Sequence, residues 1–104
     1  MALEVTDGNV KEVLEQNEIT VLDFWAPWCG PCKTLGPIID ELAIDNSDII
    51  IGKINVDHNT LTPKEYGIRG IPSLIFFKNG VEVDRMVGMR SKSILQARLD
   101  ELKE

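Results

Sequence analysis

One segment constrains the fold of this 104-residue chain more than any other. Residues Ile19–Trp25 form a nearly continuous apolar run, which predicts a strand buried on both faces of a sheet. The apolar side chains that follow have the spacing of an amphipathic helix and are Leu35, Ile38, Ile39, Leu42 and Ala43. A buried strand that leads directly into an amphipathic helix is typical of α/β proteins with parallel strands.

The connection between this strand and this helix holds the only two cysteines, Cys29 and Cys32. Cys29 is thereby placed at a helix N-terminus, where backbone N–H groups and the helix dipole favour a thiolate. Cys32 lies one turn before Leu35 on the same helix face. We therefore expect Cys32 to point inward and Cys29 to be exposed at the helix tip. Pro37 is expected to kink the helix.

The remaining patterns predict further strands and helices around this unit. They are a short strand at 3–5, a helix containing Val10, Val13 and Leu14, a strand at 49–56, a short helix at 60–66 closed by Gly67, a strand at 73–78, a hairpin turn at Asn79 and Gly80, and a helix capped by Ser91 with Ile94, Leu95, Leu99 and Leu102 facing the core. Thr6 and Asp7 are expected to start the first helix. This order predicts one domain over 1–104, with a mixed sheet between two layers of helices.

Composition and charge exclude several functional classes. The chain has 17 acidic and 11 basic residues, a net charge of −6, and no basic cluster, so we expect no nucleic-acid partner. No apolar run reaches the roughly 18 residues that a membrane span needs. The first residues lack the basic and apolar regions of a signal peptide. We therefore expect a cytoplasmic protein with no membrane partner, and in that compartment a lone cysteine pair is rarely a structural disulfide.

Two cysteines at this spacing have three interpretations. A zinc site needs four ligands, and His58, the only histidine, is isolated from the pair in sequence. An inert pair of buried thiols also occurs in helices. We favour a redox-active dithiol, because residues i and i+3 at a helix start lie close enough to form a disulfide. In thiol–disulfide exchange, Cys29 would then be the attacking thiol and Cys32 the resolving thiol.

Asp23 interrupts the apolar strand Ile19–Trp25. Burial on both faces favours the neutral carboxyl and raises its pKa, and such a group can exchange a proton with the resolving thiol. The alternative is an aspartate at a strand end in contact with water. Lys53, in the next long predicted strand, either offsets the cost of burying Asp23 or faces solvent at an edge.

The sequence pattern alone leaves two further questions open, the isomer of the peptide bond before Pro72 and the location of Trp28. Pro72 opens a buried strand, and X-Pro bonds are those that can be cis, although most are trans. Trp28 lies beside Cys29 and either contacts substrates at the surface or packs in the core. For an isolated tryptophan the core is the commoner location.

Several stretches together resemble the thioredoxin family, in the family's order and over nearly the whole chain. They are 21–33 (VLDFWAPWCGPCK), 37–41 (PIIDE), 53–57 (KINVD), 66–73 (YGIRGIPS), 76–80 (FFKNG) and 87–88 (VG). The Trp-Cys-Gly-Pro-Cys block together with the distant Gly-Ile-Pro is a highly specific pair of motifs. The resemblance implies the thioredoxin fold, an α/β architecture with a five-stranded mixed central sheet, in the order 1-3-2-4-5, and four flanking helices.

The resemblance also implies roles for individual residues. It makes Cys29 the nucleophile, Cys32 the resolving thiol and Asp23 the proton acceptor for Cys32. It places Lys53 close to this aspartate. It makes the Ile71–Pro72 bond cis, with the bond facing the two sulfurs.

A flat apolar patch that docks substrates is implied as well. Its residues are Trp28, Gly30, Pro31, Ile71, Pro72 and Gly88. The backbone of Ile71 would bond to an extended substrate segment, a mode that carries little sequence information. Gly30 and Pro31, together with Lys53, would tune how reducing the cysteine pair is. Met89 departs from the family, in which smaller residues are common after the glycine.

The activity implied by the resemblance is protein-disulfide reduction by a dithiol electron carrier. Disulfide-containing proteins would be its substrates, and thioredoxin reductase would return it to the dithiol form with electrons from NADPH. We expect a monomer with no bound cofactor and no metal ion. Two rival functions are an oxidant or isomerase on the same fold in an oxidising compartment, and a binding module that uses the apolar patch without its thiols.

Overall fold

A computed structural model describes residues 2–104, and Met1, which begins the predicted domain, lies outside the described part. Within these residues the chain forms five strands and four helices. In chain order they are β1 (Leu3–Glu4), α1 (Val10–Gln16), β2 (Ile19–Trp25), α2 (Gly30–Asp45), β3 (Ile50–Asn55), α3 (Leu61–Glu65), β4 (Ser73–Lys78), β5 (Val81–Val87) and α4 (Lys92–Lys103). None of these helices has the length and apolar composition needed to cross a bilayer.

The strands form one mixed sheet in the order β1-β3-β2-β4-β5, which confirms the expected fold class and topology. Strands β1, β3 and β2 are parallel, whereas β4 is antiparallel to both β2 and β5. Parallel strands of one sheet need crossover connections, and α1 supplies that between β1 and β2 while α2 supplies that between β2 and β3. The carboxyl end of β2, which leads to the cysteines, therefore lies at the centre of the sheet.

The sheet separates two hydrophobic clusters. One lies under α2 and α4 and includes Val21 of β2, and the other lies under α1 and includes Leu22 and Phe24. Every side chain of β2 from Ile19 to Phe24 is at most 4% exposed, so the prediction of a strand buried on both faces is confirmed. Burial of each large apolar side chain contributes about 1.5–3 kcal/mol. The strand that carries the cysteine connection is therefore held firmly in place.

Helices α2 and α4 largely follow their predicted patterns. Pro37 lies inside α2 without ending it. The Ser91 hydroxyl accepts a hydrogen bond from the Ile94 N–H at 3.3 Å, which confirms the predicted cap of α4. The buried residues of α4 are Leu95, Leu99 and Leu102. Ile94 is 51% exposed, so its predicted core position is wrong: adjacent helical residues point about 100° apart, and the buried stripe starts at Leu95.

The turn at Asn79 and Gly80 joins β4 and β5 as predicted. Both residues have positive φ angles, 53° and 81°. A two-residue hairpin turn requires this conformation at both positions, and asparagine and glycine adopt it most easily. The turn therefore specifies the antiparallel pairing that places β5 at the edge of the sheet.

The predicted start signal at Thr6 and Asp7 is wrong for α1. Among the described residues, α1 begins at Val10 with no side-chain cap. Asp7 caps α3 instead: its carboxylate accepts hydrogen bonds from the N–H of Leu61 at 3.2 Å and from the N–H and hydroxyl of Thr62 at 2.8 and 2.6 Å. These bonds, foremost that of the Thr62 hydroxyl, lower the pKa of Asp7. A sequence pattern cannot show that a cap comes from a distant segment.

We expect Asp7→Ala to destabilise the fold by about 1–2 kcal/mol, because it leaves the first N–H groups of α3 without an acceptor. Urea denaturation followed by circular dichroism measures this loss. Asp7→Asn is the matched control, since its amide oxygen still accepts hydrogen bonds, and it should cost less than half as much. Equal losses in the two variants would contradict the capping role.

Candidate active site

The two cysteines lie where β2 leads into α2. Cys29 is the N-cap residue of α2 and Cys32 is in the first turn of the helix. Their sulfur atoms are joined in a disulfide, and their Cα atoms are 5.2 Å apart. The Cys32 N–H donates a hydrogen bond to the Cys29 sulfur at 3.2 Å. This bond and the positive end of the helix dipole both stabilise a thiolate on Cys29 when the disulfide is reduced.

Cys29 is more buried than predicted. It is 6% exposed and Cys32 is 3% exposed, so the inward position of Cys32 is confirmed and the exposed position of Cys29 is wrong. The two cysteines belong to a small apolar cluster that includes Ala26 and packs against Trp25, Val56 and Ile71. The covering residues Val56 and Ile71 come from segments far along the chain, so the local pattern around Cys29 could not show them.

A loop at residues 70–72, just before β4, lies against the disulfide. The peptide bond between Ile71 and Pro72 is cis, as the resemblance implies. The Ile71 carbonyl oxygen is 3.8 Å from the Cys29 sulfur, where a reduced thiol can donate to it. The Pro72 carbonyl accepts a hydrogen bond from the Gly88 N–H at 2.8 Å, and Gly88 has a φ of 91°, which favours glycine. The cis-proline loop therefore contacts the Cys29 sulfur through Ile71 and the Gly88 turn through Pro72.

Trp28 lies on the surface beside Cys29. It is 69% exposed, so the pattern's preference for the core is wrong and the surface position implied by the resemblance is the observed one. The indole N–H donates a hydrogen bond to the Asp57 carboxylate at 3.0 Å, which holds the ring in place. Asp57 was not among the predicted site residues, because no local pattern connects it with Trp28.

Asp23 is buried in β2, on the side of the sheet that α2 covers. It is 1% exposed, and neither carboxyl oxygen receives a hydrogen bond from the residues that the structure describes. Desolvation raises the pKa of Asp23 to about 7, although attraction to Lys53 acts in the opposite direction. The alternative of a solvated aspartate at a strand end is therefore wrong. A carboxyl of this kind can take up and release a proton near neutral pH.

Lys53 is the register partner of Asp23 in the neighbouring strand β3. Paired residues of parallel strands project to the same side of the sheet, which brings the ammonium group toward the carboxyl. Its Nζ atom is also 4.5 Å from the centroid of the Trp25 ring, within range of a cation–π interaction. Because β3 lies between β1 and β2, the alternative of a lysine at a sheet edge is wrong.

Exchange between a dithiol and a disulfide is the chemistry that this geometry supports. The observed disulfide is the oxidised form, and two electrons and two protons convert it into the dithiol. Within residues 2–104, no group of three or more histidine, cysteine, aspartate and glutamate side chains is placed to hold a metal ion. A protein built in this way is a thiol–disulfide oxidoreductase.

Comparisons with known proteins agree with this class. The sequence model of the thioredoxin family matches residues 1–101. The chain is 48% identical over 100 residues to thioredoxin 2 of Chlorobaculum tepidum, covering 94% of this chain and 92% of that protein. It is 48% identical over 97 residues to the thioredoxin of Rickettsia prowazekii, covering 91% and 92%. A mutant thioredoxin from Halobacterium salinarum matches the structure with a TM-score of 0.92 and 34% identity, covering 99% and 91% of the two chains.

The chain belongs to the thioredoxin family. Thioredoxins are protein-disulfide oxidoreductases, and this chain reduces protein disulfides by dithiol–disulfide exchange. Family membership also implies, in general terms, disulfide-bonded protein substrates and a reductase that regenerates the dithiol.

Proposed function

We propose that this chain is a cytoplasmic electron carrier that an NADPH-dependent thioredoxin reductase keeps reduced. The supporting observation is the disulfide between Cys29 and Cys32 at the start of α2, with Asp23 buried on the same side of the sheet. A pair that donates electrons needs a compartment in which thiols stay reduced. In this proposal the chain acts as a monomer and as one domain over 1–104, which light scattering and limited proteolysis would test.

Cys29 is the nucleophile in this proposal. Its thiolate attacks one sulfur of a substrate disulfide and forms a mixed disulfide, and the other substrate sulfur leaves as a thiolate that takes up a proton. The Cys32 thiolate then attacks the Cys29 sulfur and displaces the second substrate sulfur. The substrate disulfide gains two electrons, and the Cys29–Cys32 pair loses two as its disulfide closes.

Asp23 is the proton acceptor for Cys32 in the second step. Only the thiolate of Cys32 attacks, and burial in apolar surroundings disfavours that charged form. Asp23 lies on the same side of the sheet and has a pKa of about 7, so its carboxylate can accept the thiol proton through water. Attraction to Lys53 increases the fraction of molecules in which Asp23 is ionised. Gly30 and Pro31, which lie between the cysteines, tune the reduction potential of the pair.

Substrates dock on the apolar patch formed by Trp28, Gly30, Pro31, Ile71, Pro72 and Gly88. In the described part of the chain, the N–H and C=O of Ile71 form no backbone–backbone hydrogen bond, so both can pair with an extended substrate segment. Val87 and Met89, on either side of Gly88 in the chain, extend the apolar surface, with exposed fractions of 53% and 38%. A surface that recognises backbone in this way fits many different substrates.

Equilibration with glutathione buffers tests the direction of electron flow. We expect the Cys29–Cys32 pair to have a reduction potential more negative than that of glutathione, because only such a pair stays reduced and donates electrons in a cytoplasm. The fraction of disulfide at each buffer ratio is measured by intact mass spectrometry after thiol alkylation.

A potential well above that of glutathione would show that the chain is an oxidant or an isomerase. The variant with both Cys29→Ser and Cys32→Ser is the control for a binding module. If it retains full biological activity, the thiols are not needed and the electron-carrier proposal fails.

A further inference from the structure

A hollow of about 200 Å³ opens beside Trp28, and thiol–disulfide exchange by itself does not use it. Its apolar walls are Trp28, Val56, Pro63, Ile68 and Ile71. Among the described residues that line it, Arg69 alone is charged. The volume equals that of roughly seven liquid water molecules, which is room for one side chain. Because the Ile71 carbonyl lies next to the Cys29 sulfur, the hollow adjoins the reacting atoms.

Within residues 2–104, no carboxylate oxygen lies within 4.0 Å of the Arg69 guanidinium. The cations that lie within 4.0 Å of a carboxylate oxygen are Lys11, Arg85, Lys92, Arg98 and Lys103. Over the described range 2–104, six cations have no such side-chain carboxylate neighbour, namely Lys33, Lys53, Lys64, Arg69, Lys78 and Arg90. Arg69 is exposed, so its donors are available to a ligand.

Three of these six cations, Lys33, Arg69 and Arg90, lie around the substrate-docking patch. Lys33 is one helical turn after Cys29, Arg69 lines the hollow, and Arg90 follows the Gly88 turn and donates to the carbonyls of Val87 and Met89. The carboxylate of Asp57 also lies on this face and accepts the Trp28 indole hydrogen bond. The chain as a whole carries a charge of −6, so the basic character of this face is local.

We propose that Arg69 and this hollow select disulfide-bonded segments that carry a glutamate near the reacting cysteine. The glutamate carboxylate pairs with the Arg69 guanidinium, whose planar donors match two carboxylate oxygens. The methylene groups of the same side chain pack against the apolar walls. Lys33 and Arg90 attract acidic segments during encounter. The inference rests on the proposed docking of substrates along Ile71, and it concerns which segments react fastest.

Synthetic peptides with one disulfide test this selection. The matched peptides differ only in one residue, glutamate, glutamine or lysine, which is moved in turn through the positions beside the reacting cysteine. At low ionic strength we expect the kcat/KM of the wild-type protein to be about three- to tenfold higher for the best glutamate peptide than for its glutamine counterpart. The preference should shrink at about 0.5 M salt, because screening weakens exposed ion pairs.

Substitutions of Arg69 assign the preference to this residue. We expect Arg69→Gln to abolish the preference for glutamate over glutamine, and Arg69→Glu to reverse it in favour of the lysine peptide. Lys11→Gln, on α1 and away from the hollow, changes the net charge by the same amount as Arg69→Gln and should retain the preference. Equal wild-type rates for all three peptides, or a preference that survives Arg69→Gln, would overturn the inference and leave disulfide reduction intact. If the wild-type protein reduced none of the peptides, both this inference and the proposed reductase function would be overturned.

Discussion

Cys32→Ser is expected to leave the protein covalently attached to its substrates, whereas Cys29→Ser should lower the reductase rate by about 10³-fold or more. The two outcomes differ because the cysteines occupy different places in α2. Cys29 caps the helix, and its sulfur accepts the Cys32 N–H, so a thiolate is favoured there. With serine at 32, the mixed disulfide forms but has no internal thiol to resolve it.

Incubation of each variant with a disulfide-bonded protein, followed by non-reducing electrophoresis and mass spectrometry, measures the trapped species. The variant with both substitutions is the control and should trap nothing. Accumulation of the mixed disulfide by Cys29→Ser in place of Cys32→Ser would reverse the roles proposed for the two sulfurs.

Asp23→Asn is expected to slow resolution of the mixed disulfide by about 10²-fold at neutral pH, a typical contribution of a positioned base. An amide cannot accept the Cys32 proton. In the wild-type protein, Asp23 acts as a base only when ionised, so the resolution rate should rise as pH increases through about 7. The variant should lack this inflection.

Stopped-flow fluorescence between pH 5 and pH 9 follows the resolution step. Asp100→Asn, at an exposed position on α4, is the matched control and should keep the wild-type profile. An unchanged pH–rate profile in Asp23→Asn would rule out the proposed proton transfer.

The free energy of unfolding of Asp23→Asn, measured relative to that of the wild-type protein, should also increase as the pH rises. Folding raises the pKa of Asp23 from 3.8 to about 7, so between these values the folded state binds more protons than the unfolded state. Wild-type stability therefore falls from about pH 4 to pH 7. Above pH 7 the full free-energy cost of burying the ionised Asp23 carboxylate remains. From pH 4 to pH 8, the free energy of unfolding of the variant should rise by about 4 kcal/mol relative to wild type.

Urea denaturation at each pH measures this difference, and the amide's own burial cost cancels because it does not depend on pH. The Asp100→Asn control should show a flat difference from wild type. Parallel stability profiles for wild type and Asp23→Asn would mean that folding does not raise the pKa of Asp23.

Local patterns predicted much of the fold because they report which face of an element is buried. The apolar run of β2, the helical spacing in α2 and the Asn79–Gly80 turn each depend on residues close together in the chain. The placement of the cysteines at a helix start has the same origin, since it follows from the strand before them and the helix after them. These features are decided by backbone geometry over one or two turns.

Contacts between segments that are distant in sequence could not be predicted from such local patterns. The expectations about Cys29 exposure and the Asp7 cap were wrong because each depends on what packs against the residue from elsewhere. Asp23 shows the same limit in another way: its position in an apolar strand indicated burial, but a solvated strand end remained an alternative. Only the register of β2 against β3, with α2 above, decided between them.

The sequence by itself determined a strand–helix unit with two cysteines at its junction, and its motifs resembled one family closely enough to imply the whole topology. The tertiary structure decided which groups surround those cysteines: Ile71 against the Cys29 sulfur, Asp57 on Trp28, Lys53 beside Asp23 and Arg69 at the rim of the hollow. The physical reason is that side-chain periodicity records the direction each residue faces. The neighbour that it meets, and the resulting shift in pKa or exposure, is set by packing between segments.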